Sequence, residues 1–435
     1  MKGIMITADR SNSGKTVLNL AILRALSNRG IDVSAFKTGP DYIDPHFSSI
    51  AARKAAHNLD IHLMGRENMA KNLSLNLGEF AVVEGAMGYF DGNYLSYENS
   101  SYDISVELNL PAILVYTPKG EAFSIVPKLL GMKNYKDSKI EGIIFNKINK
   151  MQYNMYKKLI EDNLDIKVLG YMPYERDLDI DAVNLGLNME YSKNDVENLI
   201  EKAAKLAEQF LNLDEIINLG KKLKIEKLPK LENYNLKFAI AKDRAFCFHY
   251  QENIKLLKLM GDVIYFSPLK DSQLPEADMY FLGGGYPENF ANELSANKNM
   301  REKIYEKAMN NAYIYAEGGA LMYLSESLMG KEMVGVFKGD SEIKDKLQNF
   351  GYCIMEALED NILALKGEKI FAKEFHYGIL NNELKPIFKM TKPNRDKSWE
   401  DGYQINNCFG SFQHFNWLGN IDKLNRIANK LAKEK

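Results

Sequence analysis

Gly14, Lys15 and Thr16 stand in succession between an apolar run at Gly3–Ile6 and a helical pattern that starts at once behind them. A loop of this kind turns successive backbone N–H groups and the positive end of a helix toward a phosphate. Lys15 then neutralises charge on the β- and γ-phosphates and the Thr16 hydroxyl reaches Mg²⁺, so the chemistry indicated is ATP binding with Mg²⁺. Asn12 and Ser13 complete the cradle. The usual first glycine of such a loop is absent, and Asp9 stands in its place behind Ala8. Asn12 fills a second position where glycine would be convenient, and asparagine is among the side chains that best tolerate a positive φ. A chance Gly-Lys-Thr in a surface turn is the competing reading, and the flanking strand and helix argue against it.

Acidic groups follow at the ends of later strand runs, which is where ligands bind in open parallel sheets. The segment "FKTGPDYIDPHF" offers Lys37, Asp41 and Asp44, and "VVEGAMGYFDG" offers Glu84 among small residues. Carboxylates so placed can hold Mg²⁺ or position a γ-phosphate, which makes Thr16, Asp41 and Glu84 the expected metal set. Asp41 and Asp44 have a structural alternative, capping a turn beside Pro40 and Pro45. Asn146 closes the run "GIIFN" and is expected to read adenine through its amide; the competing reading gives it no ligand. His46 lies beside the same loop, where a packed neutral imidazole competes with a catalytic one.

The elements that must position these groups are legible as alternating strand and helix patterns. Strands are expected at Gly3–Ile6, Val33–Lys37, Phe80–Glu84, Ala112–Tyr116, Gly142–Asn146 and Lys167–Gly170. Leu18, Ala21, Ile22 and Ala25 have the spacing of one buried helical face. A helical stretch over residues 194–223 gives way to "KKLKIEKLPKLENYN", charged and broken by proline, which reads as a linker. A second alternation then begins, with strands at Lys237–Ala241, Asp262–Ser267, Met279–Leu282 and Ala312–Ala316. The expected organisation is therefore a doubly wound α/β domain over 1–222, a linker over 223–234 and a second α/β domain over 235–435. A chain of 435 residues is too long for one ordinary core, which agrees with that division.

Net charge of -2 suggests neither a nucleic-acid groove nor attachment to an anionic membrane. Three scattered cysteines, Cys247, Cys353 and Cys408, make neither a disulfide framework nor a zinc knuckle. No window approaches 18 uninterrupted apolar residues, and Met1 leads directly into a strand pattern. The expectation is a reduced, cytoplasmic enzyme.

Together these segments resemble the cobyrinic acid a,c-diamide synthase family, whose first half is similar to dethiobiotin synthetase. The family's marks are a P-loop, "FKxGPDYIDPxF" and "EGxMGxFDG"; here they read "ADRSNSGKT", "FKTGPDYIDPHF" and "EGAMGYFDG". The likeness continues through "AFCFHYQENIKLLKLMGDVIYFSPLKDSQLPEADMYFLGGGYPE", "AEGGALMYL" and "KEFHYGIL", so it covers nearly the whole chain. The resemblance implies a P-loop domain followed by a class I glutaminase-like domain. It also implies ATP-dependent amidation of carboxylates on a tetrapyrrole in cobalamin biosynthesis, by way of an acyl phosphate. Lys15, Asp41, Asp44 and Glu84 would be catalytic, with Glu84 and Asp41 working with the metal. Tyr42, Asp44 and His46 would face the tetrapyrrole carboxylic acid. A homodimer is implied as well.

Several departures bear on the reaction. The family's nucleophile is the cysteine of "AECGG", but the segment here is "AEGGALMYL", with Gly318 in its place. Glycine has no side chain to form a γ-glutamyl thioester. The element "SYxHxHF" reads "SFQHFNW", keeping His414 but replacing the second histidine with Asn416. The nitrogen source is therefore expected to be ammonia, free or delivered by a separate glutaminase. Cys247 and Cys408 are the substitutes to test against a buried, inert reading. In the first half the acid of a "VDASG"-like strand end has become Tyr116, and "RHLGL" has become "VNLGL" at Val183–Leu187. Such changes leave open an alternative: a non-amidating, ATP-dependent handler of tetrapyrroles or metal centres with a degenerate glutaminase domain.

Overall fold

The computed structural model describes residues 1–175, 178, 193–227 and 231–435; the Val183–Leu187 departure lies outside them. The chain divides into two compact units, Met1–Ile61 with Gly65–Leu228, and His62–Met64 with Pro229–Lys435.

The first unit is built on strands β1 (Lys2–Ala8), β2 (Val33–Thr38), β3 (His57–Leu59), β4 (Phe80–Glu84), β5 (Ala112–Tyr116), β6 (Ile140–Asn146) and β7 (Lys167–Met172). Their order across the sheet is β3-β2-β4-β1-β5-β6-β7, with β1 paired in parallel to β4 and β5. Every residue of β2, β4 and β5 is buried, so both sheet faces are covered, as parallel α/β sheets require. That is the expected doubly wound arrangement. One face packs Ile4, Ile6 and Ala8 against helix α1 (Lys15–Asn28), helix α2 (Asp44–Ala52) and the helix Lys193–Phe210. Arg24 of α1 is fully buried there, its guanidinium bonded to Glu197, Glu201 and the carbonyls of Ile50 and Ala51. The expected linker starts against this unit: Lys221–Lys222 (β8) pairs antiparallel with β1, and Leu223 is buried with its N–H on the Met1 carbonyl.

The second unit holds a six-stranded sheet in the order β10-β9-β11-β12-β20-β19. These are β9 (Leu236–Ala241), β10 (Gly261–Phe266), β11 (Met279–Leu282), β12 (Tyr313–Glu317), β19 (Tyr403–Ile405) and β20 (Cys408–Ser411). All neighbours run parallel except β19 against β20. A further seven-stranded, mostly antiparallel sheet was not anticipated: β13 (Ser325–Leu328), β14 (Lys331–Glu332), β15 (Phe337–Ala357), β16 (Lys369–Asn381), β17 (Phe388–Thr391), β18 (Ser398–Asp401) and β21 (His414–Phe415), of which the longest, β15 and β16, pair antiparallel. Among the described residues no helix is long and apolar enough to cross a membrane.

Candidate functional site

α1 begins directly behind the loop at Lys15, with Gly14 as its N-cap in the left-handed region at φ 82°. A Cβ at Gly14 would collide with the Asn146 amide, so a side chain is excluded by space as well as by φ. Asn12 also turns left-handed, at φ 59°, as its residue type allows. The loop is braced from below: the Ser13 carbonyl accepts from Asn146 Nδ2 at 2.9 Å and from Thr117 Oγ1 at 3.1 Å. One N–H of the Asn146 amide, the group expected to read adenine, thus braces the loop backbone. Neither an acidic residue nor a side-chain cap occupies the first turn of α1, so its N–H groups are left to a ligand.

Glu84, fully buried at the end of β4, gathers the other groups. Its Oε1 accepts from Thr16 Oγ1 at 2.8 Å and from Lys37 Nζ at 3.0 Å, and its Oε2 from Asn19 Nδ2 at 3.1 Å. Lys37 Nζ also lies 2.5 Å from Asp44 Oδ2. Two adjacent strands, β2 and β4, and the helices α1 and α2 therefore meet in one ion network. Lys15 reaches across the loop to donate to the Met87 carbonyl at 2.6 Å, and Met87 adopts φ 49° to present it.

Burial sets the electrostatics. Desolvation pushes Glu84 up to about 7, opposed by Lys37 and reinforced by Asp44. Desolvation, with repulsion from Lys37, takes Lys15 down to about 8. Lys37 is desolvated too, but Asp44, Glu84 and Asp41 outweigh that and hold it above its ordinary value. Desolvation followed by the Asp44 charge raises Asp41. A carboxylate near 7 and an ammonium near 8 are poised to change state when an anion and a cation enter.

Lys15, Thr16, Asp44 and Glu84 are brought together as the sequence suggested. Asp41 takes the structural alternative with one oxygen: Oδ1 accepts from the N–H groups of Ile43, at 2.8 Å, and Asp44, at 3.1 Å, and so caps the turn into α2. Tyr42 is half-buried on that turn. His46 is exposed, its ring edge-on to Phe47 at 5.4 Å. Sequence reasoning named Lys37 without seeing that it links Glu84 to Asp44, and it missed Asn19. The spacing of Asn19 to Thr16, one helical turn on the same face, is the signal that could have found it.

The two odd residues of this half explain each other. Lys128 donates to both Asp9 Oδ2, at 2.8 Å, and the Tyr116 hydroxyl, at 3.0 Å, while Arg10 also pairs with Asp9 Oδ2 at 2.7 Å. Tyr116 in turn donates to Glu121 at 2.5 Å. The carboxylate that stands in the loop is thereby matched by two cations.

In the second unit, β12 turns sharply through Gly318, φ 57° and ψ −128°, into the helix Gly319–Leu324. The backbone is a strand-to-helix elbow with no side chain at its apex. The His414 ring has closed over it: a Cβ at Gly318 would sit 2.5 Å from both Cε1 and Nε2. His414 Nδ1 lies 3.2 Å from Glu317 Oε1. Asn416, where the second histidine was expected, is fully buried and donates to Glu252 Oε1 at 2.8 Å. All three thiols are held above the ordinary thiol range. Cys408 lies in β20, fully buried, and desolvation pushes its thiol far up. Cys353 is buried and raised in the same way. Cys247 is exposed, yet desolvation by the groups around it, with Asp243 and Glu288 nearby, takes that thiol up to about 12. A reactive cysteine needs the opposite shift.

Residues 4–187 match the family described as the CobQ/CobB/MinD/ParA nucleotide binding domain, and residues 237–421 match the CobB/CobQ-like glutamine amidotransferase domain. A cobyrinate a,c-diamide synthase from Clostridium tetani is 39% identical over 439 residues, covering 99% of this chain and 100% of that relative. The chain belongs to the cobyrinate a,c-diamide synthase family. A member from Clostridium acetobutylicum is 39% identical over 98% of this chain and all of its own length. A member from Saccharolobus solfataricus is 37% identical over 96% of this chain and 98% of its own. Within the family's two-domain plan, the Glu84 network sits in the nucleotide-binding part and the Gly318 elbow in the amidotransferase part.

Proposed function

We propose that this protein is a carbon–nitrogen ligase that uses ATP to amidate side-chain carboxylates of a cobyrinate-type tetrapyrrole, with ammonia rather than glutamine as its nitrogen donor. The synthetase function is assigned to residues 1–222 and the degenerate amidotransferase fold to residues 235–435, joined by a linker over 223–234. One observation carries the nitrogen-donor reading: His414 occupies the space a nucleophilic side chain at Gly318 would need.

The reaction follows from the groups in the first unit. ATP lies on residues Asn12–Thr16, with Lys15 and the N-terminus of α1 neutralising its phosphates. Thr16 and Glu84 offer oxygens of the kind Mg²⁺ takes, and Asp41 would add the oxygen not spent on its turn. Bound there, Mg²⁺ would offset charge on the β- and γ-phosphates. The substrate carboxylate, oriented by Tyr42, Asp44 and His46, attacks the γ-phosphorus; the bond to the β,γ-bridging oxygen breaks and ADP leaves. Ammonia then adds to the acyl phosphate carbon, phosphate departs, and a proton is lost to leave the amide. Lys37 holds Glu84 and Asp44 in register, so positioning and preorganised charge do most of the work, as phosphoryl transfer demands. The test is ADP release and amide formation with cobyrinate and either ammonium or glutamine. Nucleotide binding without amide formation under any nitrogen source would favour a nucleotide-dependent tetrapyrrole handler instead.

A further inference from the structure

Asn58 stands at the middle of β3, the short strand at the edge of the first sheet, and its side chain is buried. In the parallel register it lies opposite Lys37 of β2, and Lys37 lies opposite Glu84 of β4. Residues directly opposite one another on neighbouring strands share a sheet face. Asn58, Lys37 and Glu84 therefore form one polar row across three strands, continuous with the ion network of Thr16, Asn19 and Asp44. The Asn58 amide turns to the loop that leaves β2: Nδ2 donates to the Asp41 carbonyl at 2.7 Å and to the Gly39 carbonyl at 2.9 Å. An amide nitrogen has two hydrogens to give, and two carbonyls of one loop receive them. Gly39 leaves the strand in the left-handed region, at φ 80°, with its own N–H on the Leu59 carbonyl at 2.9 Å. Asn58 is held in turn. Asn72 Nδ2, from the helix Arg66–Leu75, donates to the Asn58 carbonyl at 2.8 Å, and Asn76 Nδ2 donates to Asn72 Oδ1 at 2.9 Å.

The loop so held carries the two acids of the candidate site. Asp41 caps the turn into α2 with Oδ1, and Asp44 opens α2 and meets Lys37. We propose that Asn58 is a positioning residue of the synthetase site: by fixing the main chain at Gly39 and Asp41, it sets the Asp41 and Asp44 carboxylates for their work on Mg²⁺ and the acid substrate. What Asp41 and Asp44 do rests on the ligase reading; what Asn58 does rests on its hydrogen bonds. Asp41 is the sensitive point, because its own carbonyl is one of the two held, so a shift of that main chain carries the carboxylate with it. A displacement near 1 Å at a reacting group can cost about 10²-fold in rate. The nucleotide loop has its own braces in Asn146 and Thr117, so loss of Asn58 should separate metal and acid binding from nucleotide binding.

The experiment compares full-length Asn58→Ala with Asn76→Ala, which removes a side chain from the same asparagine ladder one step further from the loop. Binding of a fluorescent ATP analogue is measured without metal and then across a Mg²⁺ titration. KM for cobyrinate follows from ADP release with ammonium chloride. In Asn58→Ala the expected result is metal-free nucleotide affinity within about twofold of the unaltered protein, with the half-saturating Mg²⁺ concentration and KM for cobyrinate each raised about tenfold. Asn76→Ala should lower the melting temperature and move neither. An Asn58→Ala protein that melts earlier but keeps both quantities within about twofold would overturn the proposal, as would equal shifts in Asn76→Ala. Where Asn58→Ala does not fold, Asn58→Ser, which leaves room for a water on the two carbonyls, is read by the same criteria. Absence of cobyrinate-dependent ADP release from the unaltered protein would sink the ligase reading, and the Mg²⁺ titration would still decide the role of Asn58. Turnover by the unaltered protein, with Mg²⁺ titration and KM unmoved in Asn58→Ala, would do the reverse.

Discussion

Two strand-to-helix turns in this protein have similar placements and opposite contents. Both follow a strand of a parallel sheet, and both pass through a glycine in the left-handed region, Gly14 at φ 82° and Gly318 at φ 57°. Behind Gly14 the charged groups are interlocked: Thr16, Asn19 and Lys37 all bond to Glu84, and Lys37 continues to Asp44. Behind Gly318 the backbone has kept its shape while the reactive atom is gone, and His414 fills the gap. A backbone turn can outlast its chemistry because it is held by the surrounding sheet. A buried ion network cannot lose one member so easily, since the others would be left uncompensated.

Substitutions should sharpen that contrast. Lys15→Ala is expected to lower kcat for ammonium-dependent ADP release by on the order of 10³-fold, with the fold intact by circular dichroism. Glu84→Gln should cost on the order of 10²-fold and change the pH profile. With Glu84 held near 7 and Lys15 near 8, kcat/KM for ATP should rise as pH climbs through about 7, where the carboxylate ionises, and decline above about 8, where Lys15 loses its proton. In Glu84→Gln the acid limb should vanish; a limb that persists would assign it to another group. At the other turn, Gly318→Cys should gain no glutamine hydrolysis and should lower unfolding stability by about 1–3 kcal/mol, because the new Cβ meets His414 at a strained φ. Glutamine hydrolysis in that single variant would mean His414 gives way readily. Smallest of all, Cys247→Ser and Cys408→Ala should leave ADP release within about twofold, as expected of thiols whose pKa is raised.

The central strands were legible because continuous apolar runs bounded by turn residues are what a sheet buried on both faces demands, and "AVVE" and "AILVY" have that form. The phosphate loop was legible because its residues are contiguous. What escaped was what only the third dimension assembles. Lys37 appeared as one of several charges until β2 and β4 brought it to Glu84, and the part played by Asn146 depends on the Ser13 carbonyl lying 2.9 Å away. The sheet over residues 325–415 escaped for a different reason. Stretches such as "GDSEIKDKLQNFG" in β15 are largely exposed and charged, so they lack the period-two apolar signal. The emptied elbow was visible in one letter, Gly318, but the histidine that closed over it was not.

ADP release by the purified protein with ATP, Mg²⁺ and cobyrinate tests whether the synthetase site works while the elbow at Gly318 lacks a nucleophile. Turnover with ammonium chloride and none above background with glutamine is the predicted result. Equal turnover with glutamine would contradict it.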